Sequence, residues 1–233
     1  MEYNNDQVHV VLRDNAQNMT KAMEECGLAN LGCRAHNLQL AVNEAVLSQR
    51  SIIDCISIDR KIVGHFRHSQ LATSRLQSLQ KQPGMKEARL QQDVSTIWNN
   101  TFYMMRSLLG QKRTLAAYAV DFALPAFLNP YQWALIENML TVLDHCEQLT
   151  KDISSATATE ADVIHSIEAL KRLLKKAVAT DHGVKTSKST LLQAIEQRFS
   201  HIYTESVFFL LQSWNLDIRT TILTKQQKCC RPR

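Results

Sequence analysis

Two spacings of apolar residues divide the chain. Near the start, Val8, Val10, Val11 and Leu12 form a β-branched run that ends at Asp14-Asn15, which suits a strand buried on both faces. Asn15 or Asn18 is placed to cap the helix NMTKAMEEC that follows, and Gly27 to stop it. Leu28 to Arg34 is short and apolar enough for a second strand. Strand, helix, strand in so short a stretch predicts a parallel pair with a right-handed crossover. Functional side chains in such sheets sit at the carboxyl ends of the strands, where Asp14, Cys33 and His36 fall. Two strands do not make an independent sheet. The first strand is therefore expected to have a neighbour that this chain does not supply, as if an N-terminal part were missing.

The rest has a helical period. Leu40, Ile52, Ile56, Val63 and Phe66 recur at three- and four-residue spacings between His36 and about Leu79, with Ser48–Ser51 as an interruption. Gln80–Gln92 is a polar connection broken by Pro83-Gly84. A further helix starts near Trp98 with Phe102, Met105, Leu109 and Ala116 on one face. Leu124-Pro125 and Asn129-Pro130 punctuate the next turn. Tyr131–Ile153 predicts a helix with Trp133, Ile136, Leu140 and Leu143 inward. Thr157 and Glu160 are spaced as a capping box for a helix carrying Ile164, Ile167, Leu170 and Leu174. Asp181–Ser189 is expected to be a loop before a last helix with Leu192, Ile195, Phe199 and Ile202.

Composition narrows this little further. With 233 residues and 45% apolar content the chain can bury a substantial core. Lys plus Arg less Asp plus Glu is 27 − 22 = +5, a mild basic excess that permits nucleic acid without demanding it. The polar start MEYNNDQ has no signal core, and no stretch approaches a membrane span. The six cysteines are scattered without a CxxC pair, which argues for reduced thiols in the cytosol or nucleus.

Three blocks in order, LRDNAQNM (12–19), CRAHNLQLAV (33–42) and QQDVSTIWNNTFYMMRSLLGQKRTLAAY (91–118), resemble the hAT superfamily of DNA transposases, in particular their domesticated zinc-finger BED-type relatives. A fourth, LPAFLNPYQWALIENMLTVLDHCEQLTKDIS, is similar to the helical segment that follows in that family, so the resemblance covers roughly residues 8–205. It implies a mainly α fold: a partial RNase H-like α/β core of two strands (1–47), a large all-helical insertion domain (48–205) and a divergent C-terminal tail (206–233). In such a core three acidic residues hold divalent metal ions such as Mg2+ for strand cleavage and joining, and Asp14 occupies the second acidic position. Cys33 and His36 match the family's Cys-x-x-His block. Trp98, followed by Asn99, stands where the family places an aromatic that stacks on DNA. Departures are expected to matter: Ile97 replaces the family's Arg, Asn100 its Ser, and the first and third acids, the BED finger with its zinc, and the dimerisation region fall outside the match. NLDIRTTIL stands in place of the late acidic block, as in a tail altered by frame or splicing.

Each candidate also has a structural explanation. One aspartate cannot hold a two-metal pair, so Asp14 is a vestigial ligand or simply a turn-former beside Asn15. Cys33 and His36, even with Cys26, offer one close pair where structural zinc usually has two; a buried thiol and a histidine at a helix start explain them better. Trp98 is either a stacking platform or a core anchor. His65 and His68, beside Arg67, suit a solvated or phosphate-facing edge. Lys171, Arg172, Lys175 and Lys176, extended by Lys185 and Lys188, and the smaller pair Lys112 and Arg113, are either phosphate contacts or the wet face of amphipathic helices. The chain is thus expected to be a truncated, transposase-derived nuclear protein without catalytic activity or a cofactor of its own. It is expected to bind DNA weakly through its helices, or else to be a helical protein-interaction module.

Overall fold

The first β-branched run ends in strand β1, Val11–Arg13, and the second strand, β2, is Asn30–Gly32. They pair in parallel with Val11 opposite Asn30 and Arg13 opposite Gly32, on either side of helix α1, Gln17–Glu25. The computed structural model describes residues 11–28, 30–82, 87–155, 158–176 and 183–202. Val8, Val10, the Pro83-Gly84 break and the tail 206–233 therefore lie outside the described residues. Both strands are only half-buried, against the expectation of burial on both faces, because among the described residues they pack chiefly on each other. Ala16, rather than Asn15 or Asn18, holds the N-cap position of α1; Asn15 is turned instead toward the Asn37 side chain. Gly27 ends α1 at φ +64°, a conformation that costs glycine little.

Helix α2, Arg34–Val42, runs on into a π-helical turn, Asn43–Leu47. At its end the carbonyl of Ala45 is taken by side chains, accepting from Gln49 Nε2 at 2.6 Å and Thr190 Oγ1 at 2.9 Å. The expected interruption falls at Ser48-Gln49, before α3, Arg50–His68. Ser69 adds a break that periodicity alone does not show. Its side chain accepts from the Ala72 N–H and caps α4, Gln70–Gln80.

The helix expected from Trp98 through Ala116 is two helices, α5 (Trp98–Gly110) and α6 (Lys112–Asp121). The reason lies at Gln111, which is buried and accepts from Gln80 Nε2 at 2.9 Å. After this break the phase changes: Leu115 and Tyr118 turn inward and Ala116 is exposed.

Helix α7, Pro130–Ile153, starts at a capping box of Asn129 and Gln132 with Pro130 in its first turn. Ile136, Leu140 and Leu143 are buried as their spacing predicts, and Trp133 is half-buried against the core. For α8, Glu160–Lys175, the box forms two residues later than Thr157–Glu160: Thr159 and Asp162 exchange hydrogen bonds of 3.0 and 3.2 Å. Replacing Thr159 by Ala is expected to cost about 1 kcal/mol of stability. A thermal melt indistinguishable from wild type would show that this cap is idle.

Helix α9, Lys185–Arg198, begins inside the stretch expected to be loop. Tertiary partners explain it: Ser187 donates to Gln49 Oε1 at 2.8 Å and Lys188 Nζ to the Lys176 carbonyl at 2.6 Å, so both polar residues are buried. Helix α7 lies at the centre, packing on α2, α3, α5 and α8, while α9 packs on α2, the π turn and α8. One continuous core results, with Leu38, Phe102, Met139, Leu143, Cys146 and Leu191 fully enclosed. The fold is mainly α, a small parallel pair leading into a large helical body. Among the described residues no helix is long and apolar enough to cross a membrane.

Candidate nucleic-acid interface

At the carboxyl end of the β pair the chain gathers Asp14, Asn15, Cys33 and His36. Asp14 is exposed and its Oδ1 accepts the Ala16 N–H at 3.1 Å, a local turn closed by its own side chain. Asn15 lies across Gly32 so closely that a Cβ there would sit 2.6 Å from its Oδ1, and it donates to Asn37. Cys33 stands at the N-cap position of α2; its N–H donates to the Arg13 carbonyl at 2.7 Å, tying the helix start to β1. Cys33 and His36 are both half-buried. Among the described residues no three of His, Cys, Asp and Glu come close enough together to hold a metal ion. The described side chains at this end do not by themselves fit the divalent pair that the transposase resemblance implies, since Asp14 is one carboxylate and is engaged locally.

Trp98 opens α5 and is 2% exposed, packed on Phe102 with ring centroids 6.0 Å apart. Asn99 beside it is half-buried. His65 is half-buried, its Nε2 3.4 Å from the Tyr118 hydroxyl, whereas Arg67 and His68 are exposed.

The cations differ from one another. Lys171 is paired with Glu168 at 2.7 Å and is largely covered, and Lys175 reaches Glu196 at 3.2 Å. Arg172, Lys176 and Lys185 are exposed, as are Lys112 and Arg113. Lys112 Nζ sits 5.3 Å from the centroid of the Trp133 ring, a cation–π placement. On the other side, Gly183, at the start of α9, lies against α7: a Cβ there would be 3.1 Å from Leu135 Cδ1 and 3.5 Å from the Tyr131 hydroxyl. Trp133 is roughly 200° around the helix from Tyr131 and from Leu135. Lys112 thus lies on one side of the N-terminal turns of α7, and the residues that lead into α9 lie on another.

Two aromatics at this end were not legible as site candidates. Tyr131 is 64% exposed and Phe127 63%. The signal was available, since both lie in LPAFLNPYQ, a Pro-bounded stretch between helices; aromatics beside basic residues are what single strands stack on.

A second feature lies between α3 and the 87–97 segment. Asp93 is almost wholly buried and receives Arg60 through two nitrogens, the closer at 2.6 Å, and the Thr101 hydroxyl at 3.1 Å. Below it Asp59 is 0% exposed with neither carboxylate oxygen hydrogen-bonded. Burial, aided by the charge of Asp93, pushes its pKa up to about 8.

Residues 31–142 match the family described as the ZBED1 RNase-like helical domain. The chain is 27% identical over 194 residues to the human zinc finger BED domain-containing protein 4, which covers 83% of this chain and 16% of that protein. Against zinc finger BED domain-containing protein 6 the identity is 28% over 166 residues for the human protein and 27% over 167 for the mouse protein. These cover 71% and 70% of this chain and 17% of each relative. The chain therefore spans 16–17% of the length of the curated relatives it matches.

Proposed function

Because this chain is a zinc-finger-BED-type protein derived from the hAT transposases, we propose that it binds nucleic acid through the basic end of α7, in the nucleus, without cutting or joining strands. The observation that carries this reading is Lys112 over Trp133 at an end of α7 that also exposes Tyr131, against which the start of α9 with its exposed Lys185 is packed. Phosphates take the cations and set affinity, while the aromatic offers an unpaired base a flat face. Strand transfer needs two ions flanked by several carboxylates; Asp14 brings one, and among the described residues no cluster of metal-binding side chains forms, which supports the non-enzymatic reading. Should Mg2+-dependent cleavage be observed and vanish in Asp14→Ala, the non-enzymatic role would have to be given up.

A salt titration tests the binding directly. Affinity for a duplex, a hairpin and a single strand is expected to fall steeply with salt, each phosphate contact adding roughly 0.7–0.9 to the log–log slope. Arg113→Gln combined with Lys176→Gln should lower that slope by about 1.4–1.8. No binding to any of the three at low salt would instead support a protein-interaction module. For that alternative the specific observation is that Leu71 on α4 and Val120 on α6, helices that pack together, are 60% and 82% exposed.

A further inference from the structure

We propose that the groove between α3 and the 93–101 segment is a second binding site, one that takes a nucleoside phosphate. It rests on the nucleic-acid reading above only for the source of that ligand. The groove is open to solvent along one side and has a volume of about 750 Å³, within the range of sites that hold small molecules. Arg60 and Lys61 line one wall, Ser57, Ser95 and Thr101 bring hydroxyls, and Ile53 and Ile56 give aliphatic surface. No carboxylate is among its lining residues. Cations with hydroxyl donors suit a phosphate, and the aliphatic surface suits the apolar face of a base.

Three further observations favour a built site over an incidental dent. Arg60 is not a loose surface arginine: two of its nitrogens are fixed on buried Asp93, and the side chain stays 42% exposed at the groove. Pinning of this kind lowers the entropy lost on binding. The same Asp93 holds the Thr101 hydroxyl, so one carboxylate positions two lining groups. The π turn supplies Asn43 and Leu47 to the lining, and π turns within helices are frequent at functional sites. Asp59 beneath stays largely protonated at neutral pH, because burial and the Asp93 charge oppose its ionisation; with Arg60 already paired to Asp93, Lys61 is the lining cation whose charge remains for a phosphate, while Arg60 offers its exposed N–H groups.

The ligand has two sources, a free nucleotide or an unpaired nucleotide within a strand, and the test separates them. Fluorescence anisotropy with a labelled single-stranded oligonucleotide and with a duplex, and amide NMR shifts with adenosine monophosphate, are measured on the full chain. The variants are Lys61→Glu and Ile53→Asp, both at exposed positions, with melts to show that they fold. A strand source predicts that each variant weakens single-strand binding by roughly tenfold and leaves duplex binding within twofold. A free-nucleotide source predicts no such loss for the oligonucleotide, but shifts in α3 and residues 95–101 on adding adenosine monophosphate that disappear in Lys61→Glu. If neither variant changes either response, the groove is not a site. Duplex binding that still falls in the Arg113 and Lys176 variant would then leave the α7 interface standing. Groove shifts with adenosine monophosphate but no oligonucleotide binding at low salt would support the groove and overturn that interface.

Discussion

Asp59→Asn is expected to be more stable than the wild-type chain at pH 8 and to draw level with it at about pH 4 to 5. The sign follows from where the proton sits. The carboxyl in the folded chain has its pKa pushed up to about 8, above the value of 3.8 for an unperturbed aspartate, chiefly by burial and then by the charge of Asp93. Between these values the folded state binds more protons than the unfolded one, so stability falls as pH rises. The neutral form's contribution is complete below the unfolded pKa and is lost on the way up through the folded one. The loss has a slope of about 1.4 kcal/mol per pH unit. Asparagine is nearly isosteric with the protonated acid and cannot ionise, so it removes the slope. Urea unfolding of both proteins at pH 5, 6, 7 and 8 reads it directly. Parallel curves across that range would mean that Asp59 is not the buried neutral acid described here.

The position also lies on a face that the sequence pattern marks as core. Ile52, Ile56, Val63 and Phe66 declare the inward face of α3, and Asp59 falls on that same face between them. The periodicity that located the core therefore placed an aspartate in it. What sequence could not show is Asp93, thirty-four residues further on in a segment without regular structure, neutralised by Arg60 from the turn of α3 that follows Asp59. Charge pairing across such a distance depends on the packed fold, and no local spacing encodes it.

The same distinction runs through the rest of the molecule. Elements with strong local signals were legible: α7 from its apolar period, with Asn129-Pro130 marking the turn before it, the Gly27 stop of α1, and the parallel strand pair. Breaks made by tertiary partners were not. Gln111 interrupts a helix because Gln80 meets it, and Lys185 begins one early because Ser187 finds Gln49 and Lys188 finds the Lys176 carbonyl. Periodicity reads straight through Gln111, and local propensity reads the run before Ser189 as loop; in both places buried side chains with satisfied hydrogen bonds override the local signal. The basic residues were visible singly in sequence, but the placement of Lys112 over Trp133, and of the start of α9 against Tyr131 and Leu135, depends on how the helices pack.

Trp98 carries the other large expected effect. Its indole is 2% exposed, it begins α5, and it packs on Phe102, which is fully enclosed. Truncation to alanine removes most of a buried ring and leaves a cavity, at a cost of about 3–5 kcal/mol, a large share of the roughly 5–15 kcal/mol that holds a typical domain folded. Trp98→Ala is therefore expected to be largely unfolded or to melt far below wild type. Because an unfolded protein binds nothing specifically, that variant alone cannot distinguish an anchor from a platform for DNA bases. Trp98→Phe can. Phenylalanine keeps an aromatic in the core at a smaller loss, so the fold should survive with a lowered urea midpoint. Affinity for single-stranded DNA should then stay within twofold, while Arg113→Gln with Lys176→Gln weakens it. A folded Trp98→Phe that loses single-strand binding tenfold would instead mean that the indole leaves the core when a strand is bound, and that its burial here is the unbound arrangement.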